Sequence, residues 1–298
     1  MSDGETRTDR PILVFGAGGQ VGRELVALAS ARNVPVVGAV RADADIADAE
    51  SVAGLIARVR PRMVINAAAY TAVDKAESEP QAAARGNIEG PRVLAEATAA
   101  ADVPILHLST DYVFDGSKAG AYTEDDPIAP LGVYGRTKAE GEAAVRAANS
   151  RHAILRTAWV YGTYGNNFLK TMMRLAAERD RLRVVGDQHG CPTATADIAE
   201  AILAVDAAFA RGPGLAGTFH FAGTGATSWH GFAEAIVAAQ AARTGKRPCV
   251  DAITTSDYPT PAARPANSVL NSSRFTDTFG YRAQPWQERT AEVVAAIV

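Results

Sequence analysis

Apolar residues in the first half of the chain fall in short unbroken runs. Between the runs lie longer stretches in which they recur every three or four positions. Pro11 to Phe15 is the first run; it ends at Gly16 and predicts a buried strand. Helical spacing follows over Val21 to Ala31, then a strand over Val34 to Val40 and a helix over Asp48 to Arg60, stopped by Pro61. Met63 to Asn66 predicts a third strand, Pro80 to Ala101 a long helix, Ile105 to Ser109 a fourth strand, Tyr134 to Ala148 a helix and His152 to Arg156 a fifth strand. Strands alternating with helices in this way predict βαβ units. The expected fold class is therefore α/β, a Rossmann-type doubly wound, mostly parallel sheet covered on both faces.

Beyond about residue 160 the rhythm loosens. Asn167 to Arg179, Thr193 to Phe209 and Trp229 to Thr244 have helical spacing, and Leu182 to Val185 and Gly217 to Phe221 predict strands. Arg211 to Gly217 predicts a loop, and the proline- and alanine-rich stretch from Tyr258 to Ser268 keeps too regular an apolar spacing for a linker. The expected division is a nucleotide-binding, catalytic domain over residues 1–160. A smaller C-terminal substrate-binding lobe follows over 161–298, with segments free to return to the first domain. At 298 residues, 47% of them hydrophobic, the chain is long enough to bury a substantial core.

Charge narrows the partners. The formal net charge is -3 with acids and bases interspersed, so no basic stripe for nucleic acid is present. The polar start MSDGETRTDR does not predict a signal peptide, and no apolar run is long enough for a membrane span. Cys191 and Cys249 belong to no metal-ligand pattern and predict ordinary pocket or core residues in a reducing cytoplasm.

The chemistry begins at Gly16-Ala17-Gly18-Gly19-Gln20-Val21-Gly22, between the first strand and the first helix. Gly16 permits a tight turn, Gly19 lets backbone approach a phosphate, and Gly22 lets helix pack on sheet; the helix N-terminus then faces a pyrophosphate. At the end of the second strand, Arg41 stands where an acid would select an unphosphorylated ribose. NADPH is thus favoured as cofactor, with NADH as a further possibility. Asp45 and Ile46 are placed to border the adenine, and Ala67, Ala68, Ala69 and Tyr70 to let the dinucleotide lie close to backbone.

Tyr134 and Lys138 are four apart at a helix start and face the same way. A neighbouring ammonium and an oxidised nicotinamide are expected to lower the tyrosine below its reference pKa of about 10, so that Tyr134 can donate a proton to a carbonyl oxygen. Lys138 would also hold the nicotinamide ribose. Thr110, at the carboxyl end of its strand, is placed to orient that carbonyl, or to cap the following turn.

The blocks FGAGGQVG (Phe15 to Gly22), NAAAYTAVDKAESEP (Asn66 to Pro80), STDYVFDG (Ser109 to Gly116), Tyr134 to Lys138, LRTAWVYG (Leu155 to Gly162), GDQHGCPT (Gly186 to Thr193) and ARPANSVL (Ala263 to Leu270) extend over most of the chain. With them the chain resembles the extended short-chain dehydrogenase/reductases, and more narrowly the dTDP-4-dehydrorhamnose reductase family. The resemblance implies Thr110, Tyr134 and Lys138 as catalytic residues. It implies a dTDP-linked 4-keto-6-deoxysugar as substrate, met by Val73, Asp74, Thr110, Asp111, Tyr134, Trp159, Asn167, Gln188 and Arg264. It also implies a monomer or homodimer. Trp159 as core, Asp74 and Asn167 as helix caps, and Arg264 in a salt bridge are the structural alternatives.

Some members of the family bind a divalent ion at a dimer contact. Glu24 aligns roughly with one ligand, but no further ligands follow by spacing. Mg²⁺ is therefore not expected in the chemistry, and no metal site is assigned. Arg85-Gly86-Asn87-Ile88 departs from the usual pattern, Gly86 loosening its helix. Asp111-Tyr112 lacks the glutamate base of the related 4,6-dehydratases, which favours net reduction. Alternative readings are a reductase making another dTDP-6-deoxyhexose, an epimerase, and a non-catalytic regulatory subunit.

Overall fold

The computed structural model describes residues 9–212 and 215–298. The first eight residues of the polar start, and residues 213–214 of the expected Arg211 to Gly217 loop, lie outside the described residues.

The first half runs β1 (Ile12–Phe15), α1 (Gln20–Ala31), β2 (Val36–Ala39), α2 (Ala49–Val59), β3 (Met63–Asn66), α3 (Val73–Ala76), α4 (Pro80–Ala84), a π-turn (Arg85–Glu89), α5 (Gly90–Ala100), β4 (Ile105–Thr110), α6 (Val133–Ala148) and β5 (His152–Thr157). The second half runs β6 (Val160–Tyr161), α7 (Phe168–Glu178), β7 (Arg181–Val185), β8 (His189–Gly190), β9 (Thr193–Ala194), α8 (Thr195–Arg211), β10 (Gly217–His220), β11 (Thr227–Ser228), α9 (Trp229–Thr244), β12 (Cys249–Ile253), α10 (Ser273–Phe279) and α11 (Trp286–Ile297).

Six strands form one sheet in the order β10-β5-β4-β3-β1-β2, with every pairing parallel. Such a sheet needs cover on both faces, which explains why β1 and residues 63–65 of β3 are apolar and fully buried rather than alternating. On one face Leu25 of α1, Ile198 and Ile202 of α8 and Phe275 of α10 pack together; on the other, Val52 and Leu55 of α2, Leu94 of α5 and Val145 of α6 do so. A third core, with Met172 of α7, Phe232 and Ile236 of α9 and Val294 of α11, lies within the C-terminal half. Each such side chain contributes roughly 1.5–3 kcal/mol by leaving water.

Local chemistry sets the boundaries. Asp48 accepts hydrogen bonds from Glu50 and Ser51 N–H at the start of α2, and Arg60, left-handed at φ 48°, ends it before Pro61. The expected continuous helix from Pro80 to Ala101 is interrupted by the π-turn. Gly86 leaves room for the Tyr70 backbone, which a Cβ there would approach to 3.2 Å. Asn87 turns inward, accepting from Tyr70 N–H at 2.9 Å and donating to Tyr70 O and Thr137 Oγ1 at 3.1 Å each. The expected helix from Thr193 begins at Thr195, because Thr193 and Ala194 pair with β6. Cys191 is buried as expected, but Cys249 is exposed on β12. Among the described residues, no helix is long and apolar enough to cross a membrane.

Candidate functional site

Strand order reverses between β1 and β3, and β1–α1 and β3–α3 leave the sheet there in opposite directions. A cleft of about 880 Å³ opens at the carboxyl ends of these strands and of β4. Its floor begins at Gly16, left-handed at φ 82°, where a Cβ would stand 2.5 Å from Ala68 N. Gly22 does not line the cleft; its Cβ would lie 2.3 Å from Gly16 O, so its role is close packing. Gly19 precedes α1 with no side-chain cap, leaving first-turn N–H groups open to an anion. Gly18, Gln20, Val21, Ile46, Ala67, Ala68, Ala69 and Tyr70 complete this end. The residues fit a dinucleotide: a cradle that a side chain would fill, an uncapped helix, and cations beyond.

Those cations number two. Arg41, 81% exposed, meets Asp45 at 3.2 Å, and Arg85 from the π-turn meets the same carboxylate at 2.9 Å. The sequence reading missed Arg85 because its partner is forty positions away and no local spacing joins them. A hydrogen bond from Ala47 N–H, aided by both arginines, keeps Asp45 below the usual carboxylate range.

At the other end, β4 and α6 bring Thr110, Asp111, Tyr134 and Lys138 into the cleft with Val73 and Trp159. Thr110 Oγ1 accepts from Tyr112 N–H at 3.2 Å, as a turn cap does, and donates to Asp111 Oδ1 at 3.0 Å. Asp111 is buried, its Oδ2 has no hydrogen-bond partner, and burial raises its pKa to about 6. Tyr112 packs edge-on to Tyr134 with ring centroids 5.5 Å apart.

The expectation that Lys138 lowers Tyr134 needs correction. Burial dominates and pushes Tyr134 up to about 12, against a smaller opposing effect of Thr110. Lys138 is turned elsewhere: its Nζ donates to Leu108 O at 2.7 Å and stands 3.3 Å from His107 Nε2. Burial lowers Lys138 to about 8, opposed by Glu142 one turn further on.

Asp74, Asn167, Gln188 and Arg264 lie outside the cleft lining. Arg264 grips Asp74 with two hydrogen bonds of 3.1 and 2.9 Å, beside Val73. Asn167 caps α7 by accepting from Lys170 N–H at 3.0 Å and reaches Gln20 Oε1 at 2.9 Å. Gln188 is buried on Thr255, 3.0 Å away. Trp159, left-handed at φ 47°, stacks on Trp229 at 3.6 Å and lines the cleft. Trp229 falls in no sequence motif; Thr157, whose Oγ1 is buried without a partner, falls within the Leu155 to Gly162 block, where nothing in the spacing separates it from an ordinary strand residue. Glu24 accepts from Thr195 Oγ1 at 2.8 Å.

The sequence profile of the RmlD substrate binding domain matches residues 10–298. The dTDP-4-dehydrorhamnose reductase of Sinorhizobium fredii is 45% identical over 289 residues, 96% of this chain and 97% of that protein. A dTDP-4-dehydrorhamnose reductase structure from Clostridium acetobutylicum superposes with a TM-score of 0.89 at 39% identity, covering 96% of this chain and 99% of that one. The enzyme of that name from Bacillus anthracis, solved in complex with NADP, gives 0.89 at 32% identity with the same coverage. The chain belongs to the dTDP-4-dehydrorhamnose reductase family.

Proposed function

We propose that this chain reduces the C4 keto group of dTDP-4-dehydro-β-L-rhamnose to give dTDP-L-rhamnose, with NADPH as reductant and Tyr134 as general acid. The observation that carries this reading is the convergence of Thr110, Tyr134 and Lys138 in one cleft with the glycine loop. The names of the relatives supply the substrate.

Bound NADPH supplies the hydride. The open N-terminus of α1 holds the pyrophosphate, and Arg41 and Arg85 together hold the 2'-phosphate, exchanging part of their hold on Asp45 for it. The Thr110 hydroxyl turns from Asp111 to the sugar carbonyl oxygen and fixes it toward Tyr134. Tyr134, raised to about 12, keeps its proton at neutral pH until charge develops on that oxygen, and then releases it there. Lys138 reaches the nicotinamide ribose and stabilises the tyrosinate left behind. Val73, Asp111 and Trp159 border the sugar, while Asp74, Asn167, Gln188 and Arg264 act from behind the cleft wall or on the nucleotide beyond it.

The test is direct. Purified protein mixed with NADPH and dTDP-4-dehydro-β-L-rhamnose is expected to oxidise the cofactor, and no oxidation above background would refute the reductase reading. NMR of the product reads C4 stereochemistry. A talo product would reject rhamnose and retain the reductase.

A further inference from the structure

Beneath the cleft, four groups in line share protons in a way that their donor inventory constrains. Ala68 N–H donates to Asn66 Oδ1 at 3.1 Å, Asn66 Nδ2 stands 2.9 Å from His107 Nδ1, and His107 Nε2 stands 3.3 Å from Lys138 Nζ. Asn66 and His107 are fully buried and Lys138 is nearly so, so no solvent supplies a substitute partner. We propose that His107 is a positioning residue that holds the Lys138 amine through an Nε2–H donor, the middle member of a directed chain from Ala68 through Asn66 and His107 to Lys138.

The direction follows from the end that cannot be reversed. A backbone N–H is always a donor, so the Asn66 carbonyl oxygen must face Ala68. The Asn66 amide nitrogen therefore faces His107 Nδ1, which must accept. A neutral imidazole carries one N–H, and it is left on Nε2, aimed at Lys138. The doubly protonated ring is not an alternative, because burial above all, with the nearby Arg146, holds His107 well below its ordinary range.

An amine has a lone pair to accept Nε2–H, and an ammonium has none. The chain thus opposes charge on Lys138, in the same direction as burial. The titratable and charged groups around the pair are Tyr134, Glu142 and Arg146 on α6, Arg156 on β5 through its ion pair with Glu142, and Asp111 just past β4. Glu142 is the group that favours the ammonium, and two hydrogen bonds from Arg156 already engage it. The consequence for turnover rests on the reading of Tyr134 and Lys138 given above. When a Lys138 ammonium passes a proton to the tyrosinate oxygen, the amine left behind gains the lone pair that accepts His107 Nε2–H.

The experiment reads protonation rather than activity, so its failure and that of the reductase reading are separate results. Cofactor-free protein labelled with ¹⁵N-histidine is examined by long-range ¹H–¹⁵N NMR, with His107 assigned by elimination against variants at the other four histidines. The Nε2–H tautomer is expected; the Nδ1–H tautomer or an imidazolium at neutral pH would overturn the chain. In Asn66→Asp both side-chain oxygens accept, so Nδ1 is expected to take the proton and Nε2 to accept from a Lys138 ammonium. The ¹³Cε titration of Lys138 should then move upward by at least about one pH unit, a tenfold gain in proton affinity. An unmoved midpoint in folded Asn66→Asp would overturn the coupling. The tautomer of the unsubstituted protein decides the proposal if that variant does not fold.

Discussion

Tyr134 and Asp111 are two acids in one cleft that burial shifts the same way, with opposite consequences. For Tyr134 the shift keeps the proton in place for the donation proposed above. Tyr134→Phe removes the hydroxyl and leaves the ring packed on Tyr112. It is expected to bind NADPH as before and to lose roughly 10²–10⁴-fold in kcat, measured by cofactor titration beside steady-state kinetics. For Asp111 the shift is a stability cost. Its folded value of about 6 lies above the ordinary 3.8, so the folded protein holds this proton more tightly than the unfolded chain does. Stability therefore falls as pH rises from about 4 to about 6 and stays lower above that range. Asp111→Asn is expected to melt higher than the unsubstituted protein at about pH 8, by on the order of 2 kcal/mol, with the advantage fading toward pH 4. Thermal melts across that range check it; an advantage that grew on acidification would contradict the sign. At this scale the sequence disclosed the groups but not their state. The Tyr134–Lys138 spacing was legible, whereas the rise of Tyr134 and the turn of Lys138 toward Leu108 depend on burial by residues distant in the chain.

The π-turn shows how an element becomes part of the site. One extra residue per turn directs Asn87 inward, where it clamps the Tyr70 backbone against α6 through Thr137. The same turn carries Arg85 to the cleft. Asn87→Ala leaves Tyr70 N–H without its acceptor and is expected to cost roughly 1–3 kcal/mol of stability. NADPH affinity should weaken as well, because the Ala67 to Tyr70 wall loses its support; denaturant melts and cofactor titration read the two effects. The sequence gives only a weak sign of this turn, the loosening at Gly86, since a π-turn keeps nearly helical spacing. The long elements of the first half were legible to within a few residues because their apolar periodicity is set by burial on a parallel sheet. The two-residue strands β6, β8, β9 and β11 were not, because two residues carry no period. β12, α10 and α11 were missed for a different reason: their apolar positions serve the second-half core and the far face of the sheet, whose partners lie elsewhere in the chain.

Across the whole molecule, the chain returns to its first sheet after leaving it. β10 hydrogen-bonds along β5, and α8 with α10 covers the face that α1 shares. A fragment of residues 1–160 would expose the edge of β5 and the apolar surface beneath Ile198, Ile202, Phe219 and Phe275. It is expected to lack a cooperative thermal transition by circular dichroism, and a sharp one would show that the first half folds unaided. The hydrogen bond between Asn167 at the head of α7 and Gln20 in the glycine loop has a consequence of its own. Under the proposed function it joins the loop that would meet the cofactor to the half that would meet the sugar nucleotide, so occupancy of either place is expected to bias the other. Such cooperativity is reciprocal: whatever factor NADPH applies to dTDP affinity, dTDP must apply to NADPH affinity. One hydrogen bond of this kind limits that factor to roughly two- to tenfold. Calorimetric titrations run in both orders should return the same number, and Gln20→Ala should bring it to unity.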